Sequence, residues 1–144
     1  MADQGQSGDD KTFQLQVITP EGIVFDARAL ALQATAVDGM LGVLAHHAPL
    51  VTPLVPGLLS ITTQGGDGQL MAAGGGFLEV LDNQVRVLVD SAERPDEIDV
   101  ERAELARKRA ENRLSLRGSD EIDYARAQSA LRRALARLRL KQGL

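Results

Sequence analysis

Cysteine and tryptophan are absent from this chain of 144 residues, which has only three phenylalanines, one tyrosine and two histidines. Without cysteine there is neither a disulfide nor a thiolate metal site, so a reducing compartment suits the chain. Two histidines alone make a zinc centre improbable. So few aromatic rings leave little on which single-stranded nucleic acid could stack, which argues against it as a partner. No apolar run approaches the roughly 18 residues needed to span a bilayer. Residues 1–11 are polar and acidic with no hydrophobic segment, and read as a disordered tail rather than a signal peptide.

Two runs resemble chemistry and lack its context. Gly74-Gly75-Gly76 is followed by no Lys-Ser or Lys-Thr and runs into a strand-like segment, so it reads as glycines for close strand approach or a bulge, not as a phosphate loop. His46 and His47 are adjacent, and in extended backbone adjacent side chains point to opposite faces, so they do not converge on a metal ion. No Ser/His/Asp set or carboxylate pair stands out. The chain reads as non-catalytic.

What is present divides into two halves. The formal net charge is −4, but residues 1–95 carry 4 basic and 11 acidic side chains while residues 96–144 carry 12 and 9. An anionic ligand should therefore seek the second half. From Thr12 onward the hydrophobic pattern has period two: Phe13, Leu15 and Val17, then a turn at Pro20-Glu21-Gly22. A short strand follows at Ile23–Phe25 and a longer one at Ala29–Ala36. Further strands are predicted at 41–44, 51–55, 58–63, 69–73, 77–81 and 85–89, with turns at Asp38-Gly39, Pro56-Gly57 and Asp82-Asn83. Many short strands with Gly and Pro turns indicate an antiparallel sandwich or barrel.

Near Glu93 the period changes to 3.6 and the sequence repeats itself. Ile98-Asp99-Val100-Glu101-Arg102-Ala103 is echoed by Ile122-Asp123-Tyr124-Ala125-Arg126-Ala127. Arg102, Arg109 and Arg113 recur, 24 residues on, as Arg126, Arg133 and Arg137. Spacings of seven and then four set each trio along one helix face. Val100, Ala103, Ala106, Ala110 and Leu114, and then Ala127, Leu131, Ala134 and Leu138, form the apolar rows. A short connection at 115–120, with a glycine stop and a Ser or Asp cap, makes the helices antiparallel neighbours. The expected fold is α+β: an acidic tail at 1–11, an N-terminal antiparallel β-sandwich at 12–92 and a C-terminal antiparallel two-helix hairpin at 93–144.

An arginine row on an alanine-rich helix is most simply a solvated face. Against that stands the duplicated spacing, which brings two cationic rows together, and the fitness of arginine for bidentate phosphate contacts. The residues alone leave open a nucleotide-sensing adaptor protein and, less favoured, a basic hairpin gripping nucleic acid.

The motifs Val17-Ile18-Thr19-Pro20-Glu21-Gly22, Leu41-Gly42-Val43-Leu44 leading to His47-Ala48-Pro49-Leu50, Gly75-Gly76-Phe77-Leu78-Glu79-Val80, and Ala92-Glu93-Arg94 ahead of Ile98-Asp99 resemble, in this order, the epsilon subunit of F-type ATP synthases. The resemblance spans about Thr12 to Leu140. It implies a non-catalytic rotor subunit, peripheral on the cytoplasmic side of a bacterial membrane. The sandwich would bind the gamma subunit and the c-ring, and the hairpin would couple or inhibit, meeting the catalytic alpha and beta subunits when extended. A subset of bacterial epsilon subunits binds ATP through Ile/Leu-Asp-x-x-Arg-Ala, matched here by Ile98, Asp99, Arg102 and Ala103, with Glu93, Arg109, Arg133 and Arg137 at the accompanying positions. The resemblance implies ATP as a regulatory ligand, with or without magnesium, and no required cofactor. Arg109, Arg133 and Arg137 would face phosphates, while Glu93, Asp99 and Arg102 would hold the base and sugar end or fix the hairpin to the sandwich. Met40 replaces the family's usual acidic residue, and Ala45-His46 stands where Pro-Gly is common. Met40 and His47 mark the expected contact with the c-ring and gamma.

Overall fold

A computed structural model describes residues 11–116 and 121–142; all but Lys11 of the acidic tail expected at 1–11, and the expected glycine stop and cap at 117–120, lie outside the described residues. Strands β1 (Phe13–Thr19), β2 (Gly22–Ala36), β3 (Gly39–Leu44), β4 (Leu50–Leu54), β5 (Gly57–Thr63), β6 (Gly68–Ala73), β7 (Gly76–Leu81), β8 (Gln84–Val89) and β9 (Ala92–Glu93) precede helices α1 (Val100–Ser115) and α2 (Glu121–Gln142). Strict alternation in β1 buries Phe13, Leu15 and Val17, and in β8 it buries Val85, Val87 and Val89. These side chains meet Leu32, Leu59, Ile61 and Leu78 in the sandwich core. The fold class is the expected one.

The strands depart from expectation in three respects. The predicted pair at Ile23–Phe25 and Ala29–Ala36 is a single 15-residue strand, β2. The polar residues between them do not break it, because they point outward and find partners: Asp26 accepts from Gln14 at 2.8 Å, and Arg28 donates to the Thr12 carbonyl at 3.0 Å. The first half of β2 pairs with β1 and the second with β3 and β5, across a register irregularity between Ala29 and Ala31. This one strand therefore joins the two layers. Secondly, β1 and β8 pair in parallel, although the other pairings are antiparallel. The whole run from β2 to β7 supplies the long crossover that a parallel pair requires. Thirdly, β9 was not foreseen; it is two residues long and pairs with Ala72 and Ala73 of β6.

The glycine run does allow close strand approach. A Cβ on Gly76 would strike the carbonyl oxygen of Leu88, and one on Gly75 would lie 3.2 Å from that of Leu54.

The hairpin starts from a 3-10 turn at Pro95–Glu97, then Asp99, whose carboxylate accepts the Arg102 N–H at 3.2 Å and caps α1. Between the helices Ala103, Ala110, Ala127, Ala134 and Leu138 are buried, whereas Val100, Ala106, Leu114 and Leu131 are only partly so. A second face of α2 is buried too. Ala136 and Leu140 pack with Ile98 of the linker, Ala72 of β6 and Leu58 of β5. Thus α2 rests on the sandwich while α1 rests mainly on α2.

Candidate functional site

A cleft of about 560 Å³ opens where the hairpin meets one end of the sandwich. Thr19 and Glu21 from the β1–β2 turn, Val24, Met71 and the 90–94 segment form one wall. Asp99, Arg102, Ala103, Ala106 and Arg109 come from α1 and its cap, and Ala130, Arg133 and Arg137 from α2. Positions 102, 106 and 109, and positions 130, 133 and 137, each share a helix face. The methyl groups at 103, 106 and 130 occupy little space, so the arginines stand around an open floor.

Each sequence-predicted ligand residue lines this cleft except Ile98, which is buried in the apolar cluster beneath the hairpin. The repeated arginine trios divide. Arg102, Arg109, Arg133 and Arg137 share the cleft, while Arg113 and Arg126 flank a separate space of about 370 Å³ with Leu116 and Asp123. Antiparallel packing brings the early part of α1 beside the late part of α2, and this sorts the arginines by distance from the hairpin turn.

The arginines of this region differ in what already occupies them. Arg107, outside the cleft, donates to Glu104 at 2.7 Å and Glu111 at 2.9 Å, and these hydrogen bonds hold its guanidinium above the ordinary pKa. Arg137 donates through Nε to Glu93 Oε1 at 2.7 Å. Arg94 donates to the Val24 carbonyl at 2.9 Å. Arg102, Arg109 and Arg133 make no side-chain hydrogen bond or ion pair with any described residue. Glu21, Asp90, Glu97 and Asp99 also line the cleft. Its charges are therefore unevenly distributed: Arg102, Arg109, Arg133 and Arg137 stand on the helices, while the carboxylates lie towards the sandwich, the linker and the α1 cap, with Arg94 among them tied to the Val24 carbonyl. The sequence pattern missed Thr19, Glu21 and Asp90, which only the fold brings here. Arg94 could have been suspected from its place beside Glu93.

Met40 and His47 lie away from this cleft. Met40, on β3, is 65% exposed and borders a groove with Arg132, Leu135 and Arg139 of α2. His47 is half-buried, its Nδ1 2.7 Å from the Ala48 carbonyl. The backbone at His46 is left-handed, not extended as expected. Its φ is 61°, and Asn83 Oδ1 accepts its backbone N–H at 2.7 Å, so the pair sits in a tight turn tied to the β7–β8 loop.

A second surface crosses the outside of the sandwich. Ile23, Ile18, Leu88, Phe77 and Pro53 are successive cross-strand neighbours on β2, β1, β8, β7 and β4. Ile23 and Phe77 are each 56% exposed, so the row forms an open apolar belt. No helix among the described residues is long and apolar enough to cross a membrane.

With this geometry in view, the chain can be set beside known proteins. Residues 12–95 match the beta-sandwich domain of the ATP synthase delta/epsilon chain, and residues 96–142 match its long alpha-helix domain. The ATP synthase epsilon chain of Desulforamulus reducens is 49% identical over 109 residues, 76% of this chain and 82% of that one. That of Moorella thermoacetica is 48% identical over 103 residues, 72% and 77% of the two chains. A chain of the Euglena gracilis mitochondrial ATP synthase superposes with a TM-score of 0.72 at 26% identity, covering 85% of this chain and 76% of its own. One from the central stalk and c-ring of the Tetrahymena thermophila enzyme shares the fold, with a TM-score of 0.60 at 16% identity over 89% and 95%.

Proposed function

The chain belongs to the ATP synthase delta/epsilon family, as an epsilon chain of the F-type central stalk, and from that premise we propose that its hairpin is an ATP sensor regulating ATP hydrolysis. The observation that carries this reading is the set of unoccupied guanidiniums of Arg102, Arg109 and Arg133, held by two helices around one cleft. Neighbouring cations with no anion between them repel one another, and a polyphosphate relieves that repulsion while accepting charge-assisted hydrogen bonds. The cleft volume falls within the roughly 300–1,000 Å³ of small-molecule sites. The carboxylates on the other side repel phosphate and accept from hydroxyl and amino groups. They orient a nucleotide with its phosphates towards the hairpin and its sugar and base towards the sandwich. The extra charge of the γ-phosphate favours ATP over ADP.

The energetics suit a switch. A ligand bound only by the folded form, at a thousandfold above its Kd, stabilises that form by about 4 kcal/mol. Against this stand, among the described residues, a small apolar cluster, a few polar tethers and the alanine-rich seam between the helices. Freed and extended, helices of 16 and 22 residues would together reach roughly 60 Å at 1.5 Å per residue. High ATP thus keeps the hairpin folded and permits turnover. Low ATP releases it to run along gamma, its arginines meeting acidic patches of the catalytic subunits and blocking hydrolysis. The sandwich is the anchor, binding gamma and the c-ring at the cytoplasmic face of the membrane. The exposed apolar belt supports gamma as its partner.

Calorimetry on the full chain tests the sensor. ATP binds more tightly than ADP, and Arg109→Ala and Arg133→Ala each weaken ATP by roughly 1.5–3 kcal/mol, the scale of a hydrogen bond to a charged group. Unchanged affinity in both variants refutes the site. In the assembled enzyme, the distance between fluorophores on the sandwich and near Lys141 lengthens as ATP is depleted; a constant distance refutes the switch.

A further inference from the structure

We propose that Arg137 is a positioning residue rather than a phosphate ligand: acting through Glu93, it pins α2 to the sandwich and so assembles the cleft that the other arginines use. The inference deepens the ATP-sensor reading and rests on it for the meaning of the cleft. Arg133 and Arg137 are one turn apart on the same face of α2, yet their surroundings differ. Arg133 has no partner among the described residues, whereas Arg137 Nε holds Glu93 Oε1 at 2.7 Å, with about 30% and 25% of the two side chains exposed.

Glu93 is itself held. It lies on β9 and pairs with Ala72 of β6, and the Ala72 side chain belongs to the apolar cluster that receives Ala136 and Leu140. Four residues beyond Arg137, Lys141 Nζ donates to the Pro95 carbonyl at 3.1 Å. Ion pair, apolar contact and lysine tether thus all fall on the last turns of α2; the two polar contacts grip the segment around β9, and the apolar one grips β6, to which β9 is paired. A phosphate beside Arg137 would lie beside the Glu93 carboxylate as well, and like charges at that range repel. Removing Arg137 therefore weakens ATP indirectly. It lowers the folded fraction, and apparent affinity falls only by that fraction.

The absence of cysteine gives a direct readout. Ala136 is 4% exposed, so a thiol introduced by Ala136→Cys reacts only when the hairpin lifts. In that background, without nucleotide, Arg137→Gln and Glu93→Gln each speed thiol labelling roughly tenfold, as loss of one charge-assisted hydrogen bond requires. The exchange Glu93→Arg with Arg137→Glu returns the rate towards the parent, which a merely lost phosphate contact would not do. Arg133→Gln gives the opposite pattern, with weakened ATP binding and no faster labelling. A labelling rate unaltered by Arg137→Gln overturns the assignment whatever happens to ATP affinity, as does an exchange that fails to restore it. Should the full chain bind no ATP at all, the sensor reading fails while the labelling rates still decide the role of Arg137.

Discussion

In the sandwich the fully buried side chains are large, with Phe13, Leu15, Leu32, Leu59, Ile61, Met71 and Leu78 among them, whereas those between the helices are mostly the methyl groups of Ala103, Ala110, Ala127 and Ala134. The hydrophobic contribution scales with apolar area removed from water, about 25 cal/mol per Å², so a seam of alanines is weak. Among the described residues no hairpin side chain enters the sandwich core cluster, and the two parts share the small apolar group around Ala72, Ile98, Ala136 and Leu140 beside the polar contacts of Arg137 and Lys141. The comparison teaches a division of labour. The sandwich has a core that does not draw on the hairpin, whereas the hairpin, the part proposed to move, is held by small side chains and a few polar contacts.

Three experiments press on that difference, and the largest effect is expected in the sandwich. Ile61→Ala removes a fully buried side chain and should lower the unfolding free energy by about 2–5 kcal/mol in denaturant titration. Leu140→Ala, at the edge of the docking cluster, should cost about 1–2 kcal/mol. That loss should appear as faster labelling of the Ala136→Cys thiol, with the sandwich transition unchanged. A fall in the sandwich midpoint to match Ile61→Ala would show one cooperative unit instead of two. The smallest effect is expected from truncation after Arg94, which keeps β9 on β6. The shortened chain should still unfold cooperatively and still bind gamma; circular dichroism and co-purification check both, and an unfolded product would make the hairpin part of the core.

The cleft shows what pattern reading could and could not reach. Arg102, Arg109, Arg133 and Arg137 were identifiable because helical periodicity is short-range: residues three, four and seven apart share a face in any helix. Periodicity also grouped Arg113 and Arg126 with them, and the antiparallel offset of the helices separated them again. Ile98 belongs to the matched motif yet packs under the hairpin, since a motif records which residues recur without recording which way each points. The continuity of β2 was hidden because Asp26 and Arg28 look like a break. Their partners, Gln14 on β1 for Asp26 and Thr12 just ahead of β1 for Arg28, make the extended backbone the better state there.

The sequence by itself determined the two kinds of element, the change of period near Glu93, the arginine faces and the glycines at close strand approaches. Each follows from backbone geometry and side-chain size acting over a few residues. Only the tertiary structure decided that β1 lies parallel to β8, that α2 rather than α1 seats on the sandwich, and that Glu21 and Asp90 face the arginines. It also separated Arg137, bound to Glu93, from Arg133, which has no partner among the described residues. These outcomes depend on contacts between residues far apart in the chain, where packing and charge compensation choose among arrangements that local propensity leaves equal.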